Sequence, residues 1–140
     1  MNNSDHFSSR SVKYALYRPT YPAELFQYLV SSCPVRELAW DCATGNGQAA
    51  TCLRQYFKKV IATDISSTQI SEARKDKKID YRVASVVHSG LKAQSIDLIV
   101  VAQALHWFDI AAFYCEAERV LKKRGACRSF LSATTHQLRY

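Results

Sequence analysis

Two glycines and one carboxylate carry the first chemical argument in this sequence. Gly45 and Gly47 stand in the run Cys42-Ala43-Thr44-Gly45-Asn46-Gly47, between a short strand candidate at 37–41 and a segment rich in helix formers from Gln48 onward. A glycine loop between strand and helix lets backbone N–H groups approach a ligand closely at the carboxyl end of a parallel sheet. Alone, two such glycines are equally well explained by a structural turn. Asp64 shifts the balance, because it ends the next strand candidate about 20 residues further on, where a carboxylate takes the two hydroxyls of a ribose. Together they point to a nucleoside-bearing ligand.

The loop lacks the third glycine of G-x-G-x-x-G, which disfavours a pyrophosphate. Asp41, at the tip of the first strand candidate, adds negative charge beside the loop. That charge repels phosphate and suits a ligand with an ammonium and a sulfonium group. S-adenosylmethionine carries both.

The elements that must position these residues follow in order. Pro22, whose fixed φ suits a first helical turn, opens a helix with Leu25, Tyr28 and Leu29 on one face. A helix from Gln48 to about Tyr56 follows the glycine loop, and Val60-Ile61-Ala62-Thr63 forms a buried strand ending at Asp64. Ser66 with Gln69 has the form of a capping box for a helix burying Ile70 and Ala73. Ile79 to Val83 reads as a third strand, and Ile96 to Ala102 as a fourth, covered on both faces. Asp109 caps a last helix whose inner face holds Phe113, Ala117, Val120 and Leu121, with Gly125 as its stop. Strands alternating with helices predict an α/β domain, doubly wound around a mainly parallel sheet.

Composition bounds the partners. In 140 residues, 48% are hydrophobic and 22% charged, and no apolar run approaches the roughly 18 residues of a membrane span, so no membrane contact is expected. Residues Met1 to His6 have neither a secretion-signal nor a transit-peptide pattern, which makes a cytoplasmic location the default, with the nucleus open. The net charge of +7 gathers at Arg74-Lys75-Asp76-Lys77-Lys78 and Lys122-Lys123-Arg124, which are assigned to solvated helix C-termini. No aromatics interleave with either run, so nucleic acid is not favoured as a partner. The five cysteines contain no C-x-x-C pair, and reduced thiols are expected in place of a disulfide framework or a metal site.

Five stretches together carry a family resemblance: Tyr17-Arg18-Pro19-x-Tyr21-Pro22; Asp41-x-Ala43-Thr44-Gly45-Asn46-Gly47-Gln48-Ala49-Ala50; Ala62-Thr63-Asp64; Val100 to Phe108; and Glu118-Arg119-Val120-Leu121-Lys122. Over about residues 7–126 the chain resembles the class I, Rossmann-like methyltransferases, in the branch similar to trans-aconitate methyltransferases. The resemblance implies S-adenosylmethionine as cofactor and a small-molecule methyl acceptor. It implies that Ala43, Gly45 and Gly47 face the methionine part, with Asp41 near its ammonium, Asp64 on the ribose and Ile65 on the adenine. Ala84 and Ser85 would then sit beside the adenine edge, and Gln103 beside the methyl donor. Tyr14, Tyr17 and Arg18 would fold over the pocket on the substrate side with Trp107, and His106 is the candidate catalytic base. Arg18 would orient a carboxylate acceptor, which needs no base, whereas a hydroxyl or amine acceptor would need His106. A pairing of Arg18 with a helix carboxylate, and a packed His106, are the bland alternatives.

The chain also departs from that family. Ala43 replaces the first loop glycine, harmless at negative φ but crowding the cofactor if φ is positive. Val86-Val87-His88 offers no carboxylate toward the adenine, and Lys123-Arg124-Gly125 replaces a proline and two glycines. Cys127 to Tyr140 matches nothing in the family, as an alternative reading frame would produce. The expected division is therefore a cap segment at 1–21, a cofactor-binding domain at 22–126 and a divergent tail at 127–140, with the last strands of the full sheet lacking. An unpaired edge and uncovered apolar surface would then call for a protein partner. Competing with the methyltransferase is a non-catalytic cofactor-binding module; RNA methylation rests on charge alone.

Overall fold

A computed structural model of the chain describes residues 21–102, 109–123, 127–128, 132–134 and 137–139. Its centre is a parallel sheet of β1 (Leu38–Cys42), β2 (Lys59–Asp64), β3 (Ile79–Val83), β4 (Leu98–Val101) and β5 (Cys127–Arg128), in the order β3-β2-β1-β4-β5. The chain winds outward from β1 to β3, then returns to β4 on the other side of β1. Such a reversal opens a crevice at the carboxyl ends of β1 and β4.

Strand register sorts side chains onto two faces. Ala39 pairs with Val60 and Leu98, and Asp41 with Ala62 and Val100, while Trp40 pairs with Ile61 and Ile99. Because side chains alternate along a strand, the first set shares one face and the second the other. On the first face Ala39, Val60, Ala62, Leu98 and Val100 pack against α1 (Ala23–Ser31) and α2 (Gln48–Leu53) through Leu25, Phe26, Ala49, Ala50 and Leu53. On the second, Trp40, Ile61, Ile99 and Val101 pack against Phe113, Ala117 and Val120 of α4 (Ile110–Val120). Helices on both faces make the sheet doubly wound, as expected. Among the described residues the sheet has no strand beyond β5. The short strands β6 (Ser132–Thr134) and β7 (Gln137–Arg139) pair separately and antiparallel.

Several local readings change. Tyr28 is 66% exposed; Leu25, Phe26, Leu29 and Val30 form the buried stripe of α1, and at 100° per residue position 28 falls outside it. The helix α3 (Ser67–Glu72) is capped by Ser66 as predicted, its hydroxyl accepting from Gln69 N at 3.2 Å. It buries none of its own residues fully, and Ala73 is buried just past its end. Arg74 to Lys78 therefore lie beyond α3 rather than in its last turn, with Asp76 paired to Arg54 at 2.5 Å.

Asp109 caps α4, but the helix stops at Val120, before Gly125, because Leu121 leaves it to bridge Ile96 in parallel. Lys122 is thus not a helix-end cation. Its ammonium sits 2.8 Å from Asp97 Oδ1, and Asp97 Oδ2 accepts from Glu37 N and Leu38 N at 3.1 and 3.0 Å. That buried carboxylate ties the amino-terminal ends of β1 and β4 to the exit of α4. Cys33, at the end of α1, is disulfide-bonded, against the expectation of reduced thiols; Cys42, Cys52 and Cys115 are free. The pairing of Cys127 and Arg128 with Leu98 and Ile99 brings the sheet two residues into the segment set apart as a tail.

Candidate functional site

The loop after β1 and the end of β2 are built as one unit. Thr44 N donates to Thr63 O at 2.8 Å, and Gly45 N donates to Asp64 Oδ2 at 2.9 Å. Asp64 Oδ1 accepts from Ser66 N at 2.9 Å. An ionised carboxylate has about four acceptor positions, so the half-buried Asp64 keeps two for a ligand while its own geometry is fixed. Beside it Ile65 is 78% exposed, an apolar side chain offered to solvent at the carboxyl end of the sheet. Ala84 N donates to Asp64 O at 3.0 Å, which brings Ala84 and then Ser85, both half-buried, to the same end.

The segment from Ser85 to Ser95 is pinned from below. Glu116 of α4 accepts from Ser89 N and Ser89 Oγ, both at 2.7 Å, and from Arg119 Nε at 2.6 Å, while Arg119 Nη2 donates to Leu91 O at 2.8 Å. The Arg119 guanidinium, helped by Ser89 and opposed by burial, holds the Glu116 carboxyl down at about 2. Nothing in the sequence marked this clasp, since its partners are far apart in the chain.

Asp41 is wholly buried and, by register, lies on the α2 face beneath the loop. Its Oδ2 accepts from Thr44 Oγ1 at 2.5 Å, whereas Oδ1 has no hydrogen-bond partner among the described residues. Burial pushes its carboxyl up to about 7, opposed by the Thr44 hydroxyl and the Ala50 backbone and reinforced by the charge of Asp64. Burial, with Asp41 and Asp64 nearby, also raises the Cys42 thiol well above its ordinary range, so that sulfur is no nucleophile. Asp41 and Asp64 give this end of the sheet two carboxyl groups, and among the described residues neither is in an ion pair.

The three loop residues Ala43, Gly45 and Gly47 all have positive φ, at 55°, 59° and 88°. The condition attached to Ala43 is therefore met on its unfavourable side: it takes a left-handed conformation that costs an L-residue roughly 1–2 kcal/mol. The two glycines differ in a way that spacing alone did not reveal. A Cβ at Gly45 would meet nothing within 4 Å, so that position is open to the crevice. A Cβ at Gly47 would collide with the Tyr81 hydroxyl and lie 2.9 and 3.1 Å from Tyr81 Cε1 and Cζ. Tyr81 is a site residue that the sequence reading missed. Below the loop, Tyr21, Asn46, Gln48, Thr51, Cys52, Glu72 and Arg74 line a cavity of about 380 Å³ between α2 and α3.

The structure thus gathers Asp41, Ala43, Gly45, Gly47, Asp64, Ile65, Ala84 and Ser85 at one end of the sheet. Tyr14, Tyr17, Arg18, Gln103, His106 and Trp107 lie outside the described residues, as does most of 1–21.

Comparison with known proteins bears on the same region. The family described as a methyltransferase domain matches residues 40–128. A methyltransferase of Dictyostelium discoideum is 43% identical over 123 residues, covering 87% of this chain and 47% of that protein. A protein of Saccharomyces cerevisiae named as an S-adenosylmethionine-dependent methyltransferase is 27% identical over 124 residues, covering 82% and 43%. Among solved structures, a type II methyltransferase from Anaeromyxobacter dehalogenans superimposes with a TM-score of 0.78 at 38% identity, over 82% of this chain and 48% of that one. The chain spans about half the length of the curated relatives it matches.

Proposed function

This chain belongs to the class I S-adenosylmethionine-dependent methyltransferases, and we propose that its crevice binds S-adenosylmethionine for methyl transfer to a small molecule, a carboxylate in the favoured reading. The observation that carries the cofactor assignment is Asp64, locked by Gly45 N–H and Ser66 N–H with two acceptor positions left over at the mouth of the crevice. The residues present fit that cofactor. Asp64 takes the ribose hydroxyls, Ile65 covers one face of the adenine, and Ala84 and Ser85 border its edge. Gly45, with no side chain and open space above it, lets the methionine part approach the backbone. Asp41 lies beneath the loop and acts on the ligand's positive charge by its field rather than by contact.

When bound, the cofactor supplies an electrophilic methyl group on a sulfonium. What this chain contributes is alignment and exclusion of water, because an in-line displacement gains most from a fixed geometry of nucleophile and methyl. In this reading Gln103 would border the reacting end, Tyr14, Tyr17 and Trp107 would serve the acceptor side, and Arg18 would pair with an acceptor carboxylate, which needs no base to attack. For a hydroxyl or amine acceptor His106 would remove the proton. A cytoplasmic location goes with this reading, as does a protein partner covering the edge of the sheet. Among the described residues no helix is long and apolar enough to cross a membrane.

Incubating the chain with S-adenosylmethionine and a panel of small carboxylates, phenols and amines, with mass spectrometry of the products, tests the acceptor class. Methyl esters that disappear in Arg18→Ala are expected. Methylation confined to hydroxyls or amines and lost in His106→Ala would overturn the carboxylate assignment. Cofactor binding with no product would favour a binding module without turnover.

A further inference from the structure

We propose that Tyr81, on the outer strand β3, is a positioning residue for the glycine loop: its phenol is the stop against which Gly47 rests, and cofactor affinity depends on it. The proposal rests on the reading of the crevice as a cofactor site. Three strands give it its reach. Asp41, Ala62 and Tyr81 are partners across β1, β2 and β3 and so share the face beneath α2. The intervening residue is alanine, fully buried, and its small side chain leaves room for the phenol to lie across β2 toward the loop.

The far end of the phenol arrives where a Cβ of residue 47 would be. Gly47 is the hinge of the loop. Its N–H donates to Thr44 O at 3.0 Å, closing the turn, and its carbonyl accepts from Thr51 N at 2.9 Å and Thr51 Oγ1 at 2.8 Å, starting α2. A body packed against that one residue therefore sets the height of the turn and the direction of the helix together. Glycine at 47 is required twice, by a φ of 88° and by Tyr81 from below, while Gly45, with open space at its Cβ position, faces the ligand.

The hydroxyl is buried beside the Thr51 side chain and makes no well-formed hydrogen bond among the described residues. Burial, and then the Asp41 charge, push its ionisation up, opposed by the Thr51 side chain, so it stays neutral. A buried hydroxyl without a well-formed hydrogen bond contributes little, so the useful part of Tyr81 is its shape.

The test combines S-adenosylhomocysteine titration calorimetry with hydrogen exchange at the amides of residues 44–48 in the ligand-free chain. Tyr81→Ala is expected to speed exchange in the loop and weaken binding at least tenfold. Tyr81→Phe, which keeps the ring, is expected to bind within about threefold of the parent and to melt no lower. Gly47→Ala should lose affinity when Tyr81 is present and recover at least tenfold when combined with Tyr81→Ala, a non-additive cycle. Should Tyr81→Ala not fold, Tyr81→Leu takes its place. Unchanged loop exchange in Tyr81→Ala, additive losses, or Tyr81→Phe as weak as Tyr81→Ala would each overturn the proposal. Parent chain that binds no S-adenosylhomocysteine removes the cofactor reading and this role with it; parent binding retained in full by Tyr81→Ala removes this role alone.

Discussion

Asp41, on β1, and Asp97, the residue just before β4, are both fully buried, at opposite ends of one sheet. Their surroundings differ completely. Asp97 has a cation: Oδ2 accepts from two backbone N–H groups, and Oδ1 is ion-paired with the Lys122 ammonium. Asp41 has the Thr44 hydroxyl on Oδ2 and the Ala50 backbone beside it, no ion pair among the described residues, and the charge of Asp64 nearby. A buried charge with its partners supplied by the fold is part of the scaffold. A buried charge left without a cation, at the end where the sheet opens a crevice, is set up for a positively charged ligand.

The largest effect expected from this contrast is on stability at the closed end. Asp97→Ala leaves two backbone donors and an ammonium without their acceptor, and should cost about 3–5 kcal/mol in urea unfolding. A loss below about 1 kcal/mol would show that the clamp is ornamental. Asp41→Asn should do the reverse. Holding a carboxyl at about 7, above its ordinary 3.8, means the folded form binds the extra proton, so folding becomes less favourable as pH rises from about 4 to 7. The asparagine variant should therefore equal or exceed the parent in stability at pH 8. It should also bind S-adenosylhomocysteine about tenfold more weakly there, and lack the parent's gain in affinity through pH 7.

Glu116 sharpens the comparison as a second fully partnered carboxylate. Its carboxyl sits at about 2, below the ordinary 4.5, so the stability it contributes is complete above about pH 4.5 and is lost as pH falls toward 2. Glu116→Gln should lower the melting temperature near pH 7, where the parent holds the full contribution, and flatten acid unfolding so that the two chains converge toward pH 2, as melting temperatures across pH would show. The smallest effect belongs to Ala43. At φ 55°, Ala43→Gly should relieve left-handed strain and raise stability by about 1 kcal/mol, less what the looser unfolded chain takes back. A lower melting temperature would contradict the assigned backbone.

How much of this could be read from sequence follows from how local each signal is. The β-branched run at 60–63, the caps at Ser66 and Asp109, and the order of Asp41, Gly45, Gly47 and Asp64 are patterns carried within a few residues, and the structure builds each as read; the strand read over 96–102 is there but spans only Leu98–Val101. Helix ends went astray where a distant strand decided them: Leu121 leaves α4 to pair with Ile96, and no local residue announces it. Tyr81 beneath Gly47, Asp97 under β1 and Glu116 on Ser89 join residues 34, 59 and 27 positions apart, and only the folded sheet brings them together. The sign of φ at Ala43 was likewise left open by composition, because alanine is ordinary in either half of a loop until the turn around it is known.

The most direct measurement of the central claim is calorimetric titration of the purified chain with S-adenosylhomocysteine, alongside Asp64→Ala. Saturable one-site binding by the parent, weakened at least tenfold or lost in a variant that still melts cooperatively, is the predicted result. A folded parent that releases no heat, or an Asp64→Ala chain that binds as tightly, would contradict the assignment of this crevice to the cofactor.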